Sequence, residues 1–243
     1  MTNVNDNQFL NETWLIDQKI DNITKNVISI REIQTRINVA VATAQESTLS
    51  QERNQLMYNT KNLLLETKES IKKLTANNKR LERDNPDHPE ISVRTQRQEH
   101  VKEKFTKALE IYREVETDFM TKQKERMARQ YKVVNPGATQ TEIDTYLRNP
   151  SDQPVFATAL LRTGEAKDAL EEVQRRHNDI KQIEQTIAEL AGLFNELKLQ
   201  VEIQDETMIN IDNRVADTDE KMDHSNKELE KATAKAISSR RKK

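Results

Sequence analysis

The sequence is poor in the residues that build compact globular cores and covalent cross-links. Its 243 residues include no cysteine, three glycines and five prolines, and only 4% are aromatic. The lack of cysteine excludes disulfide frameworks and thiolate metal sites and favours a reducing, cytosolic setting. Three scattered glycines cannot form a glycine-rich phosphate loop. A chain in which 33% of the residues are charged is instead typical of long, solvated helices.

No catalytic or metal-binding set can be assembled from these residues. The four histidines lie in different predicted elements without metal-ligand spacing. They are His88, His100, His177 and His224. Acidic residues abound, but on helix faces that we expect to be solvated. We therefore predict no enzymatic activity, no cofactor and no bound metal, and a net charge of −2 gives no reason to expect nucleic acid.

Long apolar segments are missing as well. No run of about 20 apolar residues, the length that crosses a bilayer, occurs in the sequence. The N-terminus has neither the basic region nor the apolar core of a signal peptide. The sequence alone therefore predicts no membrane-spanning helix and no secretory leader in this chain.

The prolines divide the chain into long helical intervals, because proline is excluded from helix interiors. They are Pro86, Pro89, Pro136, Pro150 and Pro154. The intervals predict a first helix from about Asn7 to Ala42, a break near residues 44–50, a second helix to about Arg83 and a third over residues 91–131. Thr48 and Gln51 suggest a capping box for the second helix.

Each of these three helices has one apolar stripe, which predicts an antiparallel bundle joined by short connections. The predicted stripe of the first helix is Phe9, Thr13, Ile16, Ile20, Ile23, Val27, Ile30, Gln34 and Ile37, widened by Ile28 and Ile33. That of the second is Leu56, Met57, Thr60, Leu63, Leu64, Thr67, Ile71, Leu74 and Leu81. That of the third is Val101, Phe105, Ala108, Tyr112, Val115 and Phe119. Trp14 is expected to pack in the bundle.

The next segment reads as a linker with one short helix. Its prolines and polar residues favour a hinge, and residues 141–147 predict a helix that begins near Thr139 or Thr141. From about Phe156 a long helix is expected to begin.

That last helix carries the most regular pattern in the chain. Side chains spaced alternately three and four residues apart give a mean repeat of 3.5, which places them on one seam of a supercoiled helix. At 1.5 Å per residue the seam is about 80 Å long, so it needs partner helices to be buried. The seam consists of Ile180, Ile183, Ile187, Leu190, Phe194, Leu197, Val201, Gln204, Met208, Ile211, Val215, Thr218, Met222, Ser225, Leu229 and Ala232.

Gln204 lies at the middle of this seam. A polar residue at a core position costs stability and is retained where it fixes register or partner number. A chance polar residue in a loose coiled coil is the alternative. Apolar seam positions continue on both sides of residues 199–212, and Arg240, Arg241, Lys242 and Lys243 close the chain.

This pattern closely resembles the SNARE motif of the syntaxins, the Qa class of SNAREs. The register, the central glutamine, Phe194 three layers before it and the basic end coincide with that motif. The resemblance places Ile180 in the first of sixteen layers, Gln204 in the central ionic layer and Ala232 in the last. Overall similarity favours a syntaxin of the plasma membrane.

The resemblance also implies an all-α architecture. The implied parts are an antiparallel three-helix Habc domain over 7–131, a linker with a short helix over 132–157, a SNARE helix over 158–239 and a basic juxtamembrane end over 240–243. In this family the SNARE helix can pack on Habc as a closed four-helix bundle. The linker positions implied to hold that closed form are Ile143 and Asp144.

The function implied is membrane fusion in exocytosis. The SNARE helix would join Qb- and Qc-SNARE helices and a synaptobrevin-like R-SNARE in a parallel coiled coil, with autoinhibition by Habc. An SM-family protein is the implied regulator. The short N-terminal SM-binding motif usual in these syntaxins does not occur at the start of this sequence, so binding to the closed bundle is the expected mode.

The basic C-terminal cluster is expected to meet a membrane. In syntaxins it lies at the cytoplasmic face of the membrane, directly before a transmembrane helix, and a basic cluster there attracts anionic lipid. This chain is therefore expected to be the cytosolic portion without that anchor. A self-associating coiled-coil scaffold is the alternative function; it explains the seam but not the central glutamine or the basic end.

Overall fold

The computed structural model describes residues 3–40, 43–148 and 166–202. Within these ranges the chain forms helices and no strand, which confirms the predicted all-α fold. The helices are α1 (Asn3–Val39), α2 (Thr43–Asp84), α3 (Ile91–Val134), α4 (Gln140–Arg148) and α5 (Ala166–Glu202). The predicted start of the last helix near Phe156 lies outside the described residues. Among the described helices, none is both long enough and apolar enough to cross a membrane.

The chain divides into two compact units, Met1–Leu197 and Lys198–Lys243. The first unit contains α1 to α4 and most of α5. Of the second unit the structure describes residues 198–202, which are helical. All the contacts discussed below lie within the first unit.

Cross-helix contacts give α1, α2 and α3 an up-down-up arrangement. Lys19 of α1 lies 3.5 Å from Glu66 of α2, and Arg36, further along α1, lies 4.0 Å from Glu52, earlier in α2; the two helices are therefore antiparallel. Later residues of α1 meet later residues of α3, which makes those two helices parallel. Neighbouring helices that alternate in direction and are joined by short connections are the expected plan of a helical bundle.

The predicted stripes form the core of this bundle. All nine predicted positions of α1, and Ile33 beside them, are buried, as are all six of α3. In α2, Leu64, Ile71 and Leu74 are buried together with Thr60 and Thr67, which are both fully buried. These two hydroxyls donate hydrogen bonds to the carbonyl oxygens four residues earlier, so neither is left unsatisfied. The other predicted positions of this stripe are half-buried: Leu56, Met57, Leu63 and Leu81.

Two details of α1 and α2 correct the sequence prediction. The break predicted at residues 44–50 lies instead between Val39 and Thr43, and the Thr48 hydroxyl donates to the Ala44 carbonyl inside α2 rather than capping it. No proline or glycine interrupts this stretch, and Leu49 is buried in the core, so packing extends the helix.

Trp14 and Ile28 do not pack in the bundle. The two side chains are 57% and 49% exposed. Each lies away from the single stripe of α1 that is buried, because the other helices of a bundle cover only one face of a helix. The prediction of bundle packing for Trp14, and of a stripe widened by Ile28, was wrong.

The short helix α4 begins with a capping box. The backbone N–H of Thr139 donates to Glu142 Oε2 at 2.7 Å, and the N–H of Glu142 donates back to Thr139 Oγ1 at 3.3 Å. This is the reciprocal arrangement expected of a Thr-x-x-Glu sequence. The Thr139 backbone N–H, followed by its hydroxyl, lowers the pKa of the Glu142 carboxyl. Of the two predicted caps, Thr139 is confirmed.

Candidate helix–helix assembly site

The face of α5 that carries the predicted seam packs on the three-helix bundle. Ile180, Ile183, Leu190 and Leu197 are buried, and Ile187 and Phe194 are half-buried. The structure therefore contains the closed arrangement over the first six seam positions. This arrangement covers apolar side chains that a helix of this length cannot bury by itself.

The rest of the predicted site lies beyond the described side chains. Val201 falls within α5, but its side chain is not described. The other seam residues and the basic end lie outside the described residues. They are Gln204, Met208, Ile211, Val215, Thr218, Met222, Ser225, Leu229, Ala232, Arg240, Arg241, Lys242 and Lys243.

The buried seam residues enter three clusters. Leu190 and Leu197 join the main core of the bundle. Ile183, which is fully buried, packs in a cluster with Ile37 and Phe119. Ile180 lies in a third cluster formed with α3 and α4. Successive positions along the seam are thus covered by different parts of the bundle.

Leu193 is a buried residue that the seam pattern missed. It is 8% exposed and belongs to the main core with Leu190 and Leu197. A helix held by neighbours on two sides buries a stripe wider than the strict 3.5-residue seam of a coiled coil. The sequence did contain a signal for this burial: Leu193 is an apolar residue directly before the seam residue Phe194.

Exposed ion pairs align α5 with α2. Lys61 Nζ lies 2.7 Å from Glu189 Oε1, and Lys68 Nζ lies 3.1 Å from Glu196 Oε2. Both partners advance by seven residues, so the two helices run parallel. Each pair keeps a substantial part of its surface in water, and exposed pairs of this kind contribute about 0–1 kcal/mol.

An open groove lies between these two helices. Its volume is about 580 Å³, and its apolar lining includes Met57 and Leu64 from α2 and Leu190 and Leu193 from α5. Tyr58 lies at the same groove and is mostly exposed. The packing of α5 on the bundle is therefore less close on the side that faces α2 than at the centre of the contact surface.

A buried ion pair supports the bundle beneath α5. Arg53 Nη2 lies 2.6 Å from Glu116 Oε2, and Gln34 donates to the other carboxylate oxygen at 3.0 Å. Burial raises the pKa of Glu116, whereas Arg53 and Gln34 act in the opposite direction. The Arg53 guanidinium lies over the ring of Phe119, 4.8 Å from its centroid. Phe119 in turn packs near Ile183 in one cluster.

The two predicted switch residues of the linker helix lie in different environments. Ile143 is buried in the cluster with Ile180, whereas Asp144 is exposed and accepts a hydrogen bond from Gln140 within α4. Tyr146, which the sequence did not single out, is fully buried, and its ring stacks on Tyr131 with the centroids 4.5 Å apart. Burial raises the pKa of the Tyr146 phenol.

Family models match almost the whole chain. A model of the syntaxin family matches residues 4–160, and a model of the SNARE domain matches residues 171–243. The first of these alone covers more than half of the chain and contains all of α1 to α4 except Asn3. The second contains nearly all of α5 and every position of the predicted seam.

Several relatives share extended similarity. The chain is 34% identical over 177 residues to the syntaxin-like protein psy1 of Schizosaccharomyces pombe, covering 72% of this chain and 61% of the relative. It is 36% identical over 141 residues to protein SSO2 of Saccharomyces cerevisiae, covering 55% of this chain and 48% of the relative. The chain therefore spans less than two thirds of the length of these relatives. Human syntaxin-4 is 22% identical over 98% of this chain.

A solved structure shares the fold. A chain in the crystal structure of the Unc18–syntaxin 1 complex from Monosiga brevicollis superposes with a TM-score of 0.67, covers 88% of both chains and is 20% identical. At that identity the likeness concerns the fold alone. With an N-terminal helical bundle, a SNARE domain and both family models matched, this chain belongs to the syntaxin family.

Proposed function

We propose that this chain is a Qa-SNARE of the plasma membrane that drives vesicle fusion in exocytosis and is autoinhibited by its own N-terminal bundle. The supporting observation is that the first six seam positions of α5 are buried or half-buried against α1 to α4. A surface used for closure is unavailable to other helices. The relatives include a syntaxin-like protein and a syntaxin, which supports a syntaxin function for this chain.

On assembly, partner helices would take the place of the N-terminal bundle as the cover of the α5 seam. Residues 180–232 would join Qb-, Qc- and R-SNARE helices in a parallel four-helix coiled coil, zippering from Ile180 towards Ala232. Gln204 would lie in the central layer with polar residues of the partners. A shifted register would leave those polar groups buried and unpaired, which is costly.

Closure and assembly exclude each other. Ile183 and Leu190 cannot be buried in the bundle and in the coiled coil at once, so partners can act only on the open population. The proposed parts are a regulatory domain at 7–131, a linker at 132–157 and the SNARE helix at 158–239. Within the linker, Ile143 is the proposed switch residue, and the exposed Asp144 is the less supported of the two.

We propose an SM-family protein and anionic lipid as further partners. The Monosiga brevicollis protein of similar fold was crystallised as syntaxin 1 with Unc18, which supports an SM protein that binds the closed bundle here. The basic cluster Arg240–Lys243 would lie against the cytoplasmic face of the plasma membrane, where each basic residue contributes about 1 kcal/mol of attraction to anionic lipid. The comparisons give no support to a self-associating scaffold.

The test is assembly with purified Qb-, Qc- and R-SNARE helices. The expected result is a complex with one copy of each helix and a gain in helical circular dichroism. Ile211→Asp, which puts a charge in a core layer, is expected to abolish the complex. Asp212→Asn, next to it but off the seam, is the matched control and is expected to assemble normally. Failure of the unmodified chain to assemble once equilibrium is reached, or equal behaviour of the two variants, would reject the proposal.

A further inference from the structure

Arg176 lies where the seam pattern calls for an apolar side chain. It occupies the next seam position before Ile180, four residues upstream. Its side chain is nevertheless only 1% exposed, and arginine is almost never fully buried unless it is paired. The residue therefore depends on partners supplied by the bundle.

Those partners come from two other helices. Arg176 Nη2 lies 3.0 Å from Glu46 Oε1 of α2, and Nη1 donates to Gln123 Oε1 of α3 at 2.7 Å. Gln123 is buried and donates from its own amide to Asn38 Oδ1 of α1 at 2.9 Å. One side chain of α5 is thereby connected to all three helices of the bundle. We call Arg176, Glu46 and Gln123 the Arg176 cluster.

The Arg176 cluster differs from the other charged contacts of α5. The ion pairs of α5 with Lys61, Lys68 and Lys124 are all partly exposed and can be exchanged for water at little cost. In the Arg176–Glu46 pair the arginine is buried and the glutamate is mostly buried, at 1% and 13% side-chain exposure, and Glu46 also lies 3.9 Å from Arg126 Nη2 of α3. When one partner of a buried pair is removed, the other remains buried and uncompensated, which is strongly destabilising.

We propose that the Arg176 cluster holds the closed form shut at the start of the seam, so that assembly begins only after Arg176 leaves Glu46 and Gln123. This inference rests on the proposed function and names how its autoinhibition is controlled. The cluster lies one seam position before Ile180, where zippering would begin. It therefore blocks the first step of assembly rather than a later one.

The test measures opening in the isolated full chain. Because the chain has no cysteine, spin labels can be attached at Gln51→Cys on α2 and Lys181→Cys on α5, two exposed positions. Electron spin resonance then gives the population of long label distances, and hydrogen exchange gives the protection of residues 174–197. Protection of α1 to α3 in the same experiment reports that the bundle stays folded.

Arg176→Met is expected to raise the open population at least about tenfold, since the buried Gln123 loses its donor and Glu46 keeps only the longer contact with Arg126, at 3.9 Å. The double variant Arg176→Met/Glu46→Leu also removes the weakly compensated carboxylate and is expected to be less open than Arg176→Met. Arg176→Lys keeps the charge but not the forked geometry and is expected to open less than Arg176→Met. Lys124→Met, which breaks the exposed pair with Glu184, is the matched control and is expected to change opening by less than about twofold.

Three outcomes of the opening measurement overturn the proposal: no opening in Arg176→Met, equal opening in Lys124→Met, or a double variant as open as the single one. Adding partner SNARE helices separates this proposal from the proposed function. An at least tenfold faster assembly of Arg176→Met supports both. If Arg176→Met opens but neither it nor the unmodified chain assembles, the closing contact stands and the proposed function fails. If it opens and assembles no faster than the unmodified chain, the cluster does not control assembly.

Discussion

The two halves of the α5 packing surface are built differently. Around Ile180 and Ile183, apolar side chains are fully covered, the rings of Tyr131 and Tyr146 stack, and a buried arginine is paired. Around Leu193, the helix borders an open groove of about 580 Å³, and its charged contacts lie at the surface. A single helix is thus closely packed at one end and loosely covered at the other, so opening is expected to begin at the loose end.

The largest expected effect tests this difference with matched truncations. Ile183→Ala is expected to cost about 3 kcal/mol of the free energy that holds α5 on the bundle, because a fully enclosed cavity is left. Leu193→Ala is expected to cost about 2 kcal/mol, the low end for such truncations, because Leu193 borders the open groove. Hydrogen exchange at the amides of residues 174–197 measures both. Equal losses would show that the two ends are packed equally well.

A second pair of variants tests how the linker helix supports the closely packed end. Tyr146→Ala is expected to destabilise the docking of α4 by about 2–3 kcal/mol, since it removes a buried aromatic ring and its stacking on Tyr131. Asp144→Ala, at the exposed neighbouring face, is expected to change docking by less than about 0.5 kcal/mol. Exchange of the α4 amides gives both values. A larger effect from Asp144→Ala would contradict the separation of the two switch residues.

A pH effect is expected at the capping box of α4. The pKa of Glu142 is lowered in the folded chain by the hydrogen bonds from Thr139. The resulting stabilisation is therefore fully present above the ordinary carboxyl pKa and is lost as the pH falls through the lowered value. Glu142→Gln keeps the hydrogen bonds without titrating, so the α4 amide shifts should lose this low-pH transition. Persistence of the same transition in Glu142→Gln would assign it to another group.

The smallest effect is expected at the exposed ion pairs of the loosely covered end. Lys61→Met is expected to change the opening of α5 by at most about 0.5 kcal/mol, because both charges remain largely solvated. Added salt should have equally little effect on the unmodified chain. A strong salt dependence of opening, measured by hydrogen exchange between low and high ionic strength, would instead place the main electrostatic contribution at these pairs.

Most of the apolar packing in this fold could be predicted from the sequence. Periodicity identified the buried stripe of α1 from Phe9 to Ile37 and the first seam positions of α5, because a helix fixes which side chains share a face. The capping box at Thr139 followed from local spacing for the same reason. The site residues from Gln204 onward remain predictions.

The polar contacts could not be predicted in the same way. Arg53 is buried because it pairs with Glu116, a residue 63 positions away in the sequence. Arg176 is buried because it pairs with Glu46, 130 positions away. Periodicity on one helix gives no information on which charge of another helix will meet it. The burial of Tyr146 and Leu193 likewise depends on which neighbour covers each face, and Trp14 shows the converse, an apolar residue that no neighbour covers.

The exposure of Trp14 has a spectroscopic consequence. It is the single tryptophan of the chain, and its indole is already mostly in water while the protein is folded. Its intrinsic fluorescence is therefore expected to be red-shifted in the native state and nearly unchanged when α5 leaves the bundle. Emission from this chain is a poor reporter of both folding and opening, and a red-shifted spectrum of the purified protein is no sign that it has unfolded.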